Sequence, residues 1–160
     1  LRPLSVTDVS PRYLSWLSEP YVRRFIRGAV TVGDDRVKEL KSYVAVREGR
    51  SDVLFLAIFT HEGSHIGNIK YEPIDQTSGV AIMGILIGDL EWRGKAVAGE
   101  VIHASAMWLR EHRGIQAIAL SVDRDNLAAV RAYKKLGFIE EIHPLLPTDM
   151  TIAYPMVWHL

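Results

Sequence analysis

The segment Ile85-Leu86-Ile87-Gly88-Asp89-Leu90-Glu91-Trp92-Arg93-Gly94-Lys95-Ala96-Val97-Ala98 passes from an apolar run, through a short turn, into a stretch with helical periodicity. The first amides of a helix have no intrahelical acceptor and carry the positive end of its dipole, so such a junction is a ready anion site. Gly94, Ala96, Ala98 and Gly99 are small, which lets phosphate oxygens approach the backbone. Arg93 and Lys95 add positive charge for phosphate. Taken alone, the pattern predicts an anion site at a helix start and nothing narrower.

Two other chemistries use related letters, and both fail on spacing or context. Gly88 and Gly94 enclose five residues where a P-loop has four, and Lys95 is followed by Ala96 in place of the Mg²⁺-binding Ser or Thr. His61-Glu62-Gly63-Ser64-His65 matches the H-E-x-x-H pattern of zinc proteases. That pattern needs a helix to set both imidazoles on one face, whereas Gly63-Ser64 lies between two strand-like runs, so a hairpin turn without metal is expected. His103, His112, His143 and His159 lack ligand-like spacing. With no cysteine, thiolate nucleophiles, thiolate metal sites and disulfides are excluded.

Around the loop, the elements follow from periodicity and breakers. Leu1 to Val6 is a short strand, and Thr7 or Asp8 caps a helix to about Ser18, interrupted at Glu19-Pro20. A short helical piece covers Tyr21 to Ile26. Asp34-Asp35 opens a helix to about Glu48, with Gly49 as its stop. Strands at Val53–Thr60 and His65–Pro73, joined by Glu62-Gly63-Ser64, and at Gly79–Gly88 make an antiparallel meander. Ala96–Arg113 is a long helix with Ala98, Val101, Ile102, Ser105 and Leu109 on one face, and Gly114 ends it. A strand at Gln116–Val122, a helix at Asn126–Leu136 and tail strands at Phe138–Leu145 and Met150–Trp158 complete the chain. Antiparallel strands first and β–α–β units later predict an α+β, or mixed α/β, sheet with helices on both faces.

At 160 residues, without repeats or linker-like stretches, a single domain over residues 1–160 is expected. Hydrophobic residues are 48% and charged residues 24%, ordinary for a globular chain. A formal net charge of +0 argues against nucleic acid as the main partner. The longest apolar runs fall far short of the ~20 residues of a membrane span, so no membrane partner is expected. No signal peptide opens the chain, and a cytoplasmic location is the default expectation. The strand-rich tail Tyr154-Pro155-Met156-Val157-Trp158 could serve a homodimer edge.

Arg93-Gly94-Lys95-Ala96-Val97-Ala98 resembles the Gln/Arg-x-x-Gly-x-Gly/Ala motif of the GCN5-related N-acetyltransferase (GNAT) superfamily, with Ala96 in place of the central glycine. Asn126-Leu127-Ala128-Ala129-Val130-Arg131-Ala132-Tyr133-Lys134-Lys135-Leu136-Gly137-Phe138 resembles its second signature, Asn…Ala…Tyr…Gly-Phe. Both occur in the family's order, separated by a helix and a strand. Leu1-Arg2-Pro3-Leu4 and Tyr13-Leu14-Ser15-Trp16-Leu17-Ser18-Glu19-Pro20 are similar to the branch that contains ribosomal-protein N-terminal acetyltransferases. The expected fold is then the GNAT-like central, mostly antiparallel sheet. Because Ala96 opens the helix, helical φ is expected there, where a methyl group is harmless; a positive φ would strain it.

The resemblance implies an acetyl-CoA-dependent N-acetyltransferase in which a primary amine attacks the thioester directly. Its acceptor would be a protein N-terminus or a small amine such as an amino-sugar nucleotide. In that scheme the backbone of Leu86, Ile87 and Gly88 pairs with the pantetheine and polarises the acetyl carbonyl. The segment Arg93, Gly94, Lys95, Ala96, Val97, Ala98 and Gly99 holds the pyrophosphate, Asn126 steadies the pantetheine arm, and Tyr133 protonates the departing thiolate. Tyr13, Trp16 and Phe25 lie in the region that in this superfamily helps wall the acceptor site. The attacking amine must be neutral, which costs lysine about 3.5 kcal/mol more than an α-amine at fixed pH. Some relatives place a carboxylate base on the strand before the loop, but Val80 to Ile87 contains none. Glu72 is the foremost candidate base, with His65, Asp75 and Asp89 behind it. The contrasting reading is a non-catalytic acyl-CoA-binding sensor, in which Tyr133 merely packs.

Overall fold

A computed structural model describes residues 1–25, 35–146 and 151–160, with the Phe25 side chain outside that set. Seven strands form one sheet in the order β1-β2-β3-β4-β5-β7-β6. They are β1 (Arg2–Pro3), β2 (Leu54–Phe59), β3 (His65–Asp75), β4 (Val80–Ile87), β5 (Ala117–Asp123), β6 (Ile139–Glu140) and β7 (Ala153–His159). Every pairing is antiparallel except β4 with β5. This is the mixed α+β sheet that the order of elements predicts.

Alternation along β2 sorts the core into two faces, since successive side chains of a strand point to opposite sides. Leu56 and Ile58 join one cluster, with Ile102, Ala106 and Leu109 of α4 (Val97–Arg113) and Val130 of α5 (Leu127–Lys135). Ala57 joins the other, with Tyr13 and Trp16 of α1 (Pro11–Ser18) and Leu40 and Val44 of α3 (Arg36–Ala45). Each fully covered Ile or Leu contributes about 1.5–3 kcal/mol of transfer free energy, so α4, with Ile102 and Leu109 on the sheet, is a principal source of stability. One polar link crosses this apolar layer: the Tyr71 hydroxyl lies 2.9 Å from Ser105 Oγ.

Several boundaries differ from expectation, each for a local reason. α1 begins at Pro11, because Ser10 caps it by accepting from the Tyr13 N–H and proline favours the first helical position. Thr7 and Asp8 instead belong to a 3₁₀ turn, Val6–Asp8, closed by a capping box between Ser5 and Asp8. Proline likewise opens α2 (Pro20–Phe25) one residue early. α3 stops at Ala45, and the tail strands shrink to β6 and β7. Ile26, Asp34 and Met150, assigned from the sequence to element ends, lie outside the described residues.

The consequential feature is where pairing stops. β4 and β5 are in register only over Val80–Ile82 and Ala117–Ala119, yet β4 continues to Ile87 and β5 to Asp123. Past Ile82 the two parallel strands part and leave a wedge between them. α4 starts at the end of β4, and α5 at the end of β5.

Candidate active site

The wedge has a backbone wall. Gly88 N–H donates to Ile66 O at 2.9 Å, so Gly88 faces β3. Alternation along an antiparallel ladder turns Leu86 the same way, and directs the N–H and C=O of Ile85 and Ile87 to the opposite edge, which no strand pairs there; the Ile87 carbonyl accepts from Arg93 Nε at 2.8 Å. Of Leu86, Ile87 and Gly88, expected to face the pantetheine through their backbone, only Ile87 turns its N–H away from β3, while Leu86 and Gly88 are engaged with β3; Ile85 shares the outward side with Ile87. The choice depends on strand parity, which the apolar run could not reveal.

After β4 a 3₁₀ turn, Leu90–Trp92, is capped by Asp89, whose side chain accepts from the Glu91 N–H. Then come the residues singled out by spacing. Among the described residues, none accepts the backbone N–H groups of Gly94, Lys95, Ala96, Val97, Ala98 or Gly99, and the first helical bond of α4 is Glu100 N–H to Ala96 O at 3.2 Å. A run of open amides at the N-terminus of a 17-residue helix has the electrostatics of a phosphate cradle.

The expected helical φ at Ala96 is corrected: its φ is +64° and its ψ 0°, making it the N-cap residue before Val97. Gly94 is also left-handed, at φ +74°. Ala96 is the one non-glycine with positive φ among the described residues. Left-handed backbone costs an L-residue roughly 1–2 kcal/mol, so the loop carries local strain where its amides line up.

Arg93 is also corrected. Its guanidinium grips both carboxylate oxygens of Glu19, at 3.0 and 2.7 Å, while its Nε donates to Ile87 O at 2.8 Å and its Nη2 to Gly88 O at 3.1 Å. These hydrogen bonds brace the end of β4 against the α1–α2 corner. Lys95 is exposed, with its Nζ 5.4 Å from the centre of the Trp92 ring.

On the far side of the wedge, Asn126 caps α5, its Oδ1 accepting from the Ala129 N–H at 3.2 Å and from the Tyr21 hydroxyl at 3.2 Å. No described residue accepts from its amide NH₂. Tyr133 is half-buried, with its ring 5.5 Å from that of Phe138. Burial, aided by the neighbouring Tyr21, pushes its phenol up to about 12. No described residue hydrogen-bonds its hydroxyl. Such a group stays protonated at physiological pH and can give its proton to a thiolate.

Of the candidate bases, His65 and Glu72 lie on the opposite face of the sheet, toward α1 and α3. Glu72 accepts from Arg47 Nε at 2.8 Å and Lys70 Nζ at 2.7 Å, and Arg50 stands at 3.4 Å. Burial opposes its charge, but the two close cations outweigh burial and lower its pKa. A carboxylate held this way is a poor proton acceptor, which corrects its expected role as base; it is a brace between α3 and β3. Asp75 ties the turn at Thr77 and Ser78, and Asp89 is paired with Arg12. His65 lies among Phe59, Tyr13 and Trp16, with ring centres 5.0, 5.7 and 5.0 Å away. Tyr13 and Trp16 are buried beside the end of β4, and a Cβ on Gly88 would come within 2.0 Å of the Trp16 ring. Phe25 lies outside the described side chains. The H-E-x-x-H letters fall in a tight turn, with Thr60 N–H to Ser64 O at 2.9 Å and Gly63 at φ +85°. Among the described residues no cluster of three or more His, Asp or Glu could hold a metal ion.

A wedge between two parallel strands, with open amides where one strand meets its helix, is a site for an elongated phosphorylated ligand. Residues 1–139 match the family described as acetyltransferase (GNAT) domain. The chain belongs to the GNAT acetyltransferase family. With the family comes the class of enzyme, an N-acetyltransferase, and GNAT enzymes use acetyl-CoA. An N-acetyltransferase 9-like protein from Caenorhabditis briggsae is 20% identical over 157 residues, covering 90% of this chain and 76% of that protein. Among solved structures, a spermidine N-acetyltransferase SpeG chimera from Vibrio cholerae and hSSAT superposes with a TM-score of 0.78 at 18% identity, over 99% of this chain and 94% of that one. A domain from Methanocaldococcus jannaschii gives 0.77 at 16%, over 99% and 96%. The V. cholerae spermidine N-acetyltransferase in complex with CoA and spermine gives 0.70 at 21%, over 99% and 93%. These likenesses establish the fold. No described helix is long and apolar enough to cross a membrane.

Sequence reasoning missed Glu19, Tyr21 and Asn68. Glu19 and Tyr21 meet the site only through the α1–α2 corner, and no spacing signals that approach. Asn68 occupies an ordinary strand position.

Proposed function

We propose that this enzyme transfers the acetyl group of acetyl-CoA directly to a primary amine, on a protein N-terminus or a small amine. The observation that carries this reading is the run of open amides from Gly94 to Gly99 beside the wedge, together with the Tyr133 hydroxyl, which no described residue hydrogen-bonds. Acetyl-CoA would lie with its pyrophosphate on those amides and on Lys95, its pantetheine between Ile85 and Ile87 on one side and Asn126 on the other. Its carbonyl would be polarised by the Ile87 N–H. The amine nitrogen then forms a bond to the thioester carbon, the C–S bond breaks, and Tyr133 protonates the sulfur. No acyl-enzyme is required.

The resemblance of Leu1–Leu4 and Tyr13–Pro20 to the ribosomal-protein branch favours a protein N-terminus, while the V. cholerae relatives act on spermidine, a small polyamine. A homodimer through the tail strands belongs to the same proposal; one V. cholerae relative is dodecameric. The test is free-thiol release from acetyl-CoA across N-terminal peptides, polyamines, aminoglycosides and amino-sugar nucleotides, alongside calorimetry with acetyl-CoA. Turnover with one class supports the reading and names the acceptor. Tight acetyl-CoA binding without turnover on any amine would instead favour an acyl-CoA sensor.

A further inference from the structure

The amine that attacks must lose a proton, yet three of the carboxylates around β3 and β4 are engaged: Glu19 by Arg93, Asp89 by Arg12 and Glu72 by Arg47 and Lys70. His65 is held differently. Its Nε2 lies 3.0 Å from Gly67 O and 2.9 Å from Asn68 Oδ1. A backbone carbonyl only accepts, so Nε2 carries the hydrogen, and the same hydrogen requires Asn68 to present its oxygen. That fixes the neutral tautomer with its lone pair on Nδ1, and no described residue hydrogen-bonds Nδ1.

A second observation falls on the same spot. Asn68 is 4% exposed, and its Nδ2 is the one buried side-chain polar atom among the described residues without a partner. An unsatisfied buried donor costs about 1–3 kcal/mol, so a site that retains one has a use for it. The pair stands on β3, alongside the end of β4. Gly67 is the register partner of Ile87, Asn68 that of Leu86, and Ile66 O receives the N–H groups of Gly88 and Asp89.

We propose that His65 Nδ1 is the general base that deprotonates the acceptor amine, with Asn68 fixing its tautomer and using Nδ2 to hold the water or amine that bridges to it. This rests on the acetyltransferase reading above. The ammonium gives one proton to His65, directly or through that water, and His65 releases it to solvent. The neutral amine bonds to the acetyl carbon. When the C–S bond breaks, sulfur takes the Tyr133 proton, and the second proton leaving the nitrogen restores Tyr133. One proton leaves per amide formed. The charged groups around the imidazole are Arg2 against the Phe59 ring and Arg12 near Trp16, the latter neutralised by Asp89. Tyr13 is neutral, its phenol pushed up by burial.

The experiment is the pH profile of kcat/KM for wild type, His65→Gln and Asn68→Ala, with acetyl-CoA affinity measured for each. Glutamine keeps a donor for Gly67 O and Asn68 but cannot titrate. His65→Gln should lose about 10²-fold or more in kcat/KM at pH 7, with the loss shrinking as pH approaches the amine's own pKa, and with acetyl-CoA affinity unchanged. Asn68→Ala should lose less and displace the acid-side inflection. Wild-type activity with a His65→Gln profile parallel to it would overturn the assignment of the base and leave the acetyltransferase reading intact. Failure of wild type to acetylate any amine would overturn both. A long-range ¹⁵N spectrum of the wild-type imidazole, independent of turnover, should show hydrogen on Nε2; hydrogen on Nδ1 in the neutral ring would refute the proposal.

Discussion

The two sides of β4 do their work with different parts of the chain. Toward the wedge, the polar groups on offer are mostly main chain: open amides at the start of α4 and the outward edge of Ile85 and Ile87, with the Tyr133 phenol beside them in the proposed reaction. Toward α1 and α3, the working parts are side chains packed against one another: Trp16 over Gly88, His65 between Phe59 and Trp16, and Glu72 under two close cations. Backbone recognition tolerates many side chains but is sensitive to φ. Side-chain recognition tolerates backbone adjustment but depends on volume and charge. Substitutions on the two sides should therefore fail in different measurements.

The largest effect is expected at the wedge. Tyr133→Phe removes the proton donor but keeps the ring on Phe138, so kcat should fall about 10²- to 10⁴-fold while acetyl-CoA affinity holds in calorimetry. Because burial, then Tyr21, holds that phenol near 12, its ionisation should leave no falling limb in the wild-type profile below about pH 11. A parallel loss of affinity would mean that Tyr133 is part of the binding wall. On the other side the comparable blow is steric. Gly88→Ala drives a methyl group into the Trp16 ring, and stability should fall by about 3 kcal/mol in a denaturant melt. An undisturbed melt would show that α1 can lift away from β4.

The sequence was most readable where a local pattern carries the chemistry. The long helix after the loop, ending at Arg113 with Gly114 as its stop, and the α5 helix capped by Asn126 fall within a residue of where spacing predicts, since each depends on a few consecutive residues. The sheet was legible for the same reason, through alternation and turns. What escaped was non-local: the parity that turns Ile87 outward, the reach of Glu19 across 74 positions to Arg93, and the His65–Asn68 pair next to a register shift. Ala96 illustrates a third case, where a good helix former was read as helical although the turn needed a left-handed residue.

Glu72→Gln sharpens the comparison by separating stability from chemistry. Removing the charge leaves Lys70 and Arg47 half-buried around a neutral amide, and should cost roughly 2 kcal/mol of stability. Activity with a good acceptor should stay near wild type across the pH range. Because the folded-state pKa of Glu72 lies below its ordinary value of 4.5, its stabilisation is fully present above that value. It fades as pH falls through the lowered folded value. Wild type should therefore lose stability faster than the variant below about pH 4.5, and a constant gap between the two acid melts would refute the brace.

The smallest effect tests the wedge's dependence on φ. Ala96 sits at φ +64°, where its methyl group is disfavoured and a glycine is not. Ala96→Gly relieves that strain but adds freedom to the unfolded chain, and the two terms oppose each other. Strain is the larger at a left-handed residue, so a net gain of about 1 kcal/mol is expected in thermal stability. Acetyl-CoA affinity should rise or hold, because the amides of Ala96 and Val97 keep their direction. Ala96→Val places a branched side chain at the same φ and should lose both. If glycine and valine gave the same affinity as alanine, the loop would not hold its ligand through a fixed backbone, and the contrast between the two sides of β4 would collapse.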